Sequence, residues 1–538
     1  MRYAAVMLLL FVTCALGRTL RVPTEYVTIQ GALNAISGGD TILVALGTYA
    51  EELSAPPLSF VLKGDVQPDT GDYPRPLIDP TTLPNPEIRS CVLVHGGAPV
   101  LEDLRFRNGP EMYPGRRYEF GGINLDGDIS LFTLRRCVFD TVIRALGYPD
   151  SLIEHQGCPL VLEECHFNRD SVYCVNNGYG RTRAVNCTFS GDCLQGRSQV
   201  YTGSGSEILD CHFFDTRSDA SHMLSCVDNG QFHVAGCLFG PAGPHVNWAI
   251  GLYGYGAFED NVITGFSTGQ GPFALVLAGH DYQGPNPQDT LFVRRNRFEA
   301  NLCGAVLDCG IVGDTAHGLG VVLDSNIFAD CIKEQEYINR GVVLRNRSIL
   351  TRNRFVRMQG DRPTVEMPPF VLDSETVLRD NLFEQTGWAV ASDDPSDARW
   401  NWWGDSTGPY EPYTNPGGLG DTVHSPVEYD PWYHDTTFTE DAPKPRQPLP
   451  RSALLTAYPD PFNSTTILHL ELPRAAIVRV ELFNVLGRRV RELWHGPVAV
   501  DQDIAINGEG LASGVYFARA TDVSWNRPLV STKVVLLK

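Results

Sequence analysis

The chain has 538 residues, 43% hydrophobic and 20% charged, which excludes an intrinsically disordered chain and leaves room for more than one core. Against 63 Asp and Glu stand only 43 Lys and Arg, a formal net charge of -20, which excludes a general nucleic-acid binder because that task is driven by neutralising phosphates.

At the start, Arg2, the apolar run Ala4 to Leu16 and the triplet Ala15-Leu16-Gly17 predict a secretory signal over residues 1–17. No second segment is apolar and long enough to cross a bilayer, so no transmembrane segment is expected in the mature chain. In TIQGALNAI, Thr28 suits an N-cap, and Ile29, Ala32, Leu33 and Ile36 follow the spacing of a one-faced helix that Gly38 and Gly39 stop. TILVA, Thr41 to Ala45, then reads as the first strand.

Further on, one tripeptide recurs: Cys or Asn, any residue, a large apolar residue. Its first position falls at Cys137, Cys165, Cys187, Cys211, Cys237, Asn261, Asn296, Asn326, Asn353, Asn381 and Asn401, in steps of 20 to 35 residues. Its third position is Phe in nine units, Ile263 in one and Trp403 in the last. Each unit alternates as a strand does, no unit carries a long helical period, and Gly, Asn and Asp fill the gaps. Strands recurring in this way without helices or two-residue hairpins predict a parallel β-helix, in which equivalent residues stack about 4.8 Å apart. The rings then form an interior stack, and inward amides satisfy one another along a ladder. The five cysteines take the same position as small buried hydrophobes. Exported chains with 14 cysteines ordinarily form disulfides, but loss of Cys14 leaves an odd number and none lies beyond Cys331. Parallel side chains also hold the Cβ atoms at the edge of disulfide range, so buried thiols are expected, with bridges as the alternative.

Three insertions, PEMYPGRRYEFGG, GPHVNWAIGLYGYG and HDYQGPNPQ, interrupt the repeat. After Tyr433 the segment 435–452 is rich in Pro and charge and reads as a semi-extended linker between a β-helix domain, 18–434, and a small all-β sandwich, 453–538.

VPTEYVTIQGALNAISGGDTILVALGTYAEEL resembles the opening of the pectin lyase-like right-handed parallel β-helix proteins, and ARWNWWGDSTGPYEPYTNPGGLGDTVHSPVEYDPWY is similar to the closing coil of that superfamily. The resemblance implies the fold, with an N-terminal capping helix, and leaves activity open, since its members include lyases, hydrolases, esterases and adhesins. The tail, through Pro461, Phe462, Asn463, Leu486, Gly487, Arg488, Gly514, Tyr516 and Lys533, is similar to C-terminal sorting domains of the type IX secretion system, which are Ig-like. Asp460 stands where that family usually has Asn, and Asn484 where Asp is common. This resemblance implies passage through the secretion machinery to the outer surface or the medium.

The reading that follows is an exported, monomeric β-helix protein that binds extracellular polysaccharide. Alternatives are a calcium-assisted polysaccharide lyase, a glycoside hydrolase, or an adhesin. The candidate carbohydrate-binding residues are Tyr118, Trp248, Tyr253, Tyr255, His280 and Tyr282 in the insertions, whose rings and polar tips suit sugars on loops held by a rigid frame. An outward basic stripe of Arg295, Arg297, Arg352 and Arg354 joins them. Asp393, Asp394, Asp397 and Asp405 are candidate calcium ligands, the bland alternative being a solvated acidic turn.

Overall fold

The computed structural model describes residues 17–67, 73–83, 90–108, 122–142, 144–147, 157–170, 173–191, 198–214, 222–240, 250–265, 276–278, 290–299, 305–308, 320–331, 342–344, 348–358, 360, 363–367, 377–392, 396–424, 426–437, 453–472, 476–485, 487–498, 501–522 and 527–538. These fall into two compact units, 1–440 and 441–538.

The first unit is a parallel β-helix. Each coil runs through three strands, and every strand pairs in parallel with its counterpart in the next coil. The first ladder includes Thr41–Val44, Val61–Gly64 and Val100–Glu102. The second, of 13 strands among the described residues, runs from Thr48–Tyr49 to Leu382–Glu384, and the third includes Leu53–Ala55 and Val92–Val94. The long strands His222–Ala235 and Ile250–Glu259 turn the corner between the third ladder and the first without a break.

Between the first and second strands of a coil, one residue adopts a left-handed conformation. Arg136, Glu164, Asn186, Asp210, Gly236, Asp260, Arg295, Ser325, Arg352, Asp380 and Trp400 all have φ between +50° and +67°. This bend aims the next residue, the repeat's Cys or Asn, into the interior. Its backbone N–H also points inward and needs an acceptor. In the Asn half the acceptor is the amide oxygen one coil on: Asn296 N and Nδ2 both donate to Asn326 Oδ1 at 3.0 Å, and Asn326 repeats the pattern onto Asn353 at 3.0 and 2.9 Å. The second Nδ2 proton goes to a backbone carbonyl, as from Asn326 to Val293 at 2.8 Å. Each buried amide is thereby satisfied, where an unpaired one costs about 1–3 kcal/mol. In the other half Cys137, Cys165, Cys187, Cys211 and Cys237 hold unbridged thiols, each donating to the carbonyl two residues earlier at 3.2–3.4 Å.

Two residues beyond the ladder, the rings stack. Phe106, Phe139, Phe167, Phe189, Phe213 and Phe239 form one column; Phe298, Phe328, Phe355, Phe383 and Trp403 form another. Successive centroids are 4.6–5.0 Å apart, with planes within 22°. Ile263 interrupts the column between them. The tripeptide search missed the earlier coils because Gly47, Pro76 and Leu104 hold the ladder position there, with Tyr49, Ile78 and Phe106 following.

The helix at the start is shorter than its pattern: it spans Ile29–Leu33, and Asn34 ends it before Ile36. Thr28 caps it, accepting from Gly31 N at 3.0 Å. Glu51 accepts from Ile29 N and Gln30 N at 3.0 and 2.9 Å, and Gln30 exchanges two hydrogen bonds with the Ser54 backbone. The T-I-Q and G-T-Y-x-E motifs thus tie the cap to the coil beneath it. The first strand is Thr19–Val22, pairing with Thr41–Val44, so the sequence reading began one strand late.

The second unit packs a three-stranded antiparallel sheet and a four-stranded one around Leu468, Leu470, Val480, Leu482, Ile504, Ile506 and Val534. Asp460 does the work of an Asn as an acceptor, taking Val535 N at 2.7 Å, and Phe462 beside it is buried.

Two measurements check this interior. Phe213→Ala should lower unfolding stability by about 3–5 kcal/mol, while Arg297→Ala should lower it by less than about 0.5 kcal/mol, as read by denaturant titration. The five buried ladder thiols should resist alkylation in the native protein and react fully after unfolding without reductant; burial also pushes the thiols of Cys137, Cys165, Cys187 and Cys211 well above their usual pKa.

Candidate functional site

The outward arginines of the predicted stripe are mostly engaged. Arg295, half-buried, forms a fork to Asp260 at 2.7 Å on both nitrogens and reaches Glu259 at 2.8 Å. Arg352 grips Asp324 at 2.8 and 2.7 Å, and Arg297 pairs with Glu299 in its own strand. Arg354 is exposed and makes no ion pair among the described residues. Much of the stripe's charge is therefore matched on the wall itself.

The first ladder carries further matching. Lys63, Glu102, Arg135 and Glu163 lie in register on successive coils, with Lys63 to Glu102 and Arg135 to Glu163 both at 2.8 Å. Arg183, Glu207 and His233 form a second such row, Arg183 meeting Glu207 at 3.2 Å. Glu259 closes it. Although burial alone would raise its carboxyl, the hydrogen bond from His233 at 3.2 Å, with the charges of His233 and Arg295, holds it at about 2.

Of the acidic candidates, Asp397 is held by a two-toothed bond from Arg399, 2.9 Å on each side, and its pKa is lowered by that contact. Asp405 accepts from Thr407 N and Oγ1 at 2.9 and 2.7 Å, as an ordinary turn residue does. Asp393 and Asp394 lie outside the described residues. Among the described residues no group of three or more His, Cys, Asp or Glu side chains could hold a metal ion.

Tyr118, Trp248, His280 and Tyr282 also lie outside the described residues. Tyr253 and Tyr255 sit on the corner-turning strand Ile250–Glu259, both partly exposed. Gly254 and Gly256 alternate with them at φ 153° and 132°, and a Cβ on Gly256 would meet the Phe232 carbonyl at 2.0 Å. The glycines let the coils close tightly, and the tyrosines are left partly exposed, Tyr255 also packing against the edge of the core. Burial raises the Tyr253 phenol's pKa.

Register places Tyr255 in a row with Gln231, Gly205 and Arg181 on the three preceding coils. All but Tyr255 are exposed, and at Gly205 an added Cβ would meet only the Arg181 side chain, at 3.7 Å or more. The row is thus a shelf with a ring at one end, a guanidinium at the other and a glycine floor between. Gln231, Gly205 and Arg181 were missed by the sequence reading, yet the signal was present: each lies six residues before a ladder cysteine, as Tyr255 does before Asn261.

Residues 456–535 match the family model for the secretion system C-terminal sorting domain. The class is therefore a parallel β-helix protein with a C-terminal type IX sorting domain, addressed to that secretion machinery and so secreted or attached at the outer surface. Among solved structures, a tailspike protein mutant of the E. coli bacteriophage HK620 in complex with a pentasaccharide is similar at 11% identity and a TM-score of 0.34, covering 88% of each chain. A second mutant of that tailspike, also in complex with pentasaccharide, is similar at 12% identity and 0.27, covering 89% of each. No curated protein matches the chain. No helix among the described residues is long and apolar enough to cross a membrane.

The Glu259 cluster gives a pH test. Its folded pKa lies below the ordinary 4.5, so its contribution to stability is present above pH 4.5 and disappears as pH falls through about 2. Glu259→Gln should therefore flatten the loss of melting temperature across that window and lower stability near neutrality.

Proposed function

We propose that the β-helix binds an extracellular polysaccharide along its wall, as a binding or scaffold protein. The observation that carries this reading is the row Arg181, Gly205, Gln231 and Tyr255. A sugar ring presents a hydrocarbon face and a rim of hydroxyls. The Tyr255 ring suits the face, and the Gln231 amide, which both donates and accepts, suits the rim. Gly205 leaves the backbone open to close approach. Rungs about 4.8 Å apart are comparable in length with one sugar ring, so successive coils offer successive rings equivalent places. Export to the outer surface brings the chain to where such polymers are met.

Glycan-array retention followed by calorimetric titration of the retained glycan tests the reading. Tyr255→Ala should weaken binding about three- to tenfold with the melting temperature little changed. Retention of no glycan, or full affinity in Tyr255→Ala, would sink it.

A further inference from the structure

The last coils of the β-helix carry a large apolar side chain, Trp400, that is exposed. Trp400 occupies the left-handed position before the ladder, at φ 59°, where the column's other left-handed residues are polar, charged or Gly and Trp400 is the one aromatic among the described residues. Its indole is 41% exposed.

Its neighbours form a small polar frame. Asp380 is its counterpart one coil earlier, the two joined by the bond from Asp380 N to Trp400 O at 2.7 Å. The Tyr433 ring lies 5.7 Å from the Trp400 ring, tilted by 53°, and its hydroxyl donates to Asp380 Oδ1 at 2.6 Å. Asp380 Oδ2 makes no hydrogen bond among the described residues. Arg379, beside Asp380, is 44% exposed; its nearest carboxylate, Asp397, stands 4.0 Å off and is already gripped by Arg399. Within this frame Arg379 retains donors and Asp380 retains an acceptor, on either side of an exposed ring.

We infer that Trp400, Tyr433, Asp380 and Arg379 form a binding subsite for a neutral hexopyranose unit at the closing coil. The sugar's hydrocarbon face lies on the indole, one hydroxyl donates to Asp380 Oδ2, and another accepts from the Arg379 guanidinium. Neutrality follows from the charge. Arg379 and Arg399 are outnumbered by Asp380, Asp397 and Glu428, the last 3.8 Å from Arg399, so the patch carries no surplus of positive charge for a polyuronate. The inference takes its ligand class from the polysaccharide reading above but stands on different residues, at least four coils from Tyr255.

The full chain is titrated with cellohexaose, maltohexaose, mannohexaose and an oligogalacturonate, following tryptophan emission. At least one neutral hexaose should shift the emission of the wild type and of Tyr255→Ala. Trp400→Ala should abolish the shift and weaken calorimetric affinity at least tenfold, and Arg379→Gln should weaken it severalfold; melting curves show that each variant is folded. An unchanged affinity in folded Trp400→Ala overturns the inference, as does tighter binding of the oligogalacturonate or the absence of any neutral-sugar shift. If the shift is absent while Tyr255→Ala still lowers array retention, the closing-coil subsite falls and the wall-binding reading stands.

Discussion

The Asn half of the solenoid depends on one backbone N–H per coil. Left-handed residues such as Asp260, Arg295 and Ser325 turn the chain so that the next residue's amide faces the interior, away from water. Unpaired there, it would be costly; given a carboxamide oxygen one coil on, it becomes a fixed point of register. That oxygen receives both the backbone N–H and the side-chain amide of the preceding Asn, so each rung is specified by the next. The phenylalanine column follows two residues later at a spacing the ladder sets.

The fold was legible for the same reason. A position that must accept a buried donor and a neighbour that must fill a fixed volume leave a mark at every coil, and the run from Cys137 to Trp403 shows it. Earlier coils left no such mark, because Gly47, Pro76 and Leu104 solve the same corner without an amide or thiol. The helix was found but overextended, since Ile36 kept the apolar period after Asn34 had ended the helix. Thr19–Val22 escaped because four residues pairing on one side carry too little pattern.

The candidate site was less legible. Arg295 and Arg352 look alike in sequence to residues that could meet a ligand, and only the positions of Asp260 and Asp324 show that their charge is already matched. Tyr255 was singled out for its ring alone, and its companions Gln231, Gly205 and Arg181 are ordinary residues joined to it only by register. Asp405 shows the reverse, a suggestive acid occupied by its own turn. Functional identity on a solenoid wall belongs to columns, and columns appear once coil lengths are known.

The alternating column Lys63, Glu102, Arg135, Glu163 bears on how such a chain finds its winding. The pairs are part-buried, and ion pairs near a surface add little to stability, about 0–1 kcal/mol each. Their order matters more. Were the coil bearing Arg135 left out during assembly, Glu102 would face Glu163; were the one bearing Glu102 left out, Lys63 would face Arg135. Interior rings and thiols repeat nearly unchanged from turn to turn and would match in either case, so among these features the alternating charges alone distinguish one winding from the other.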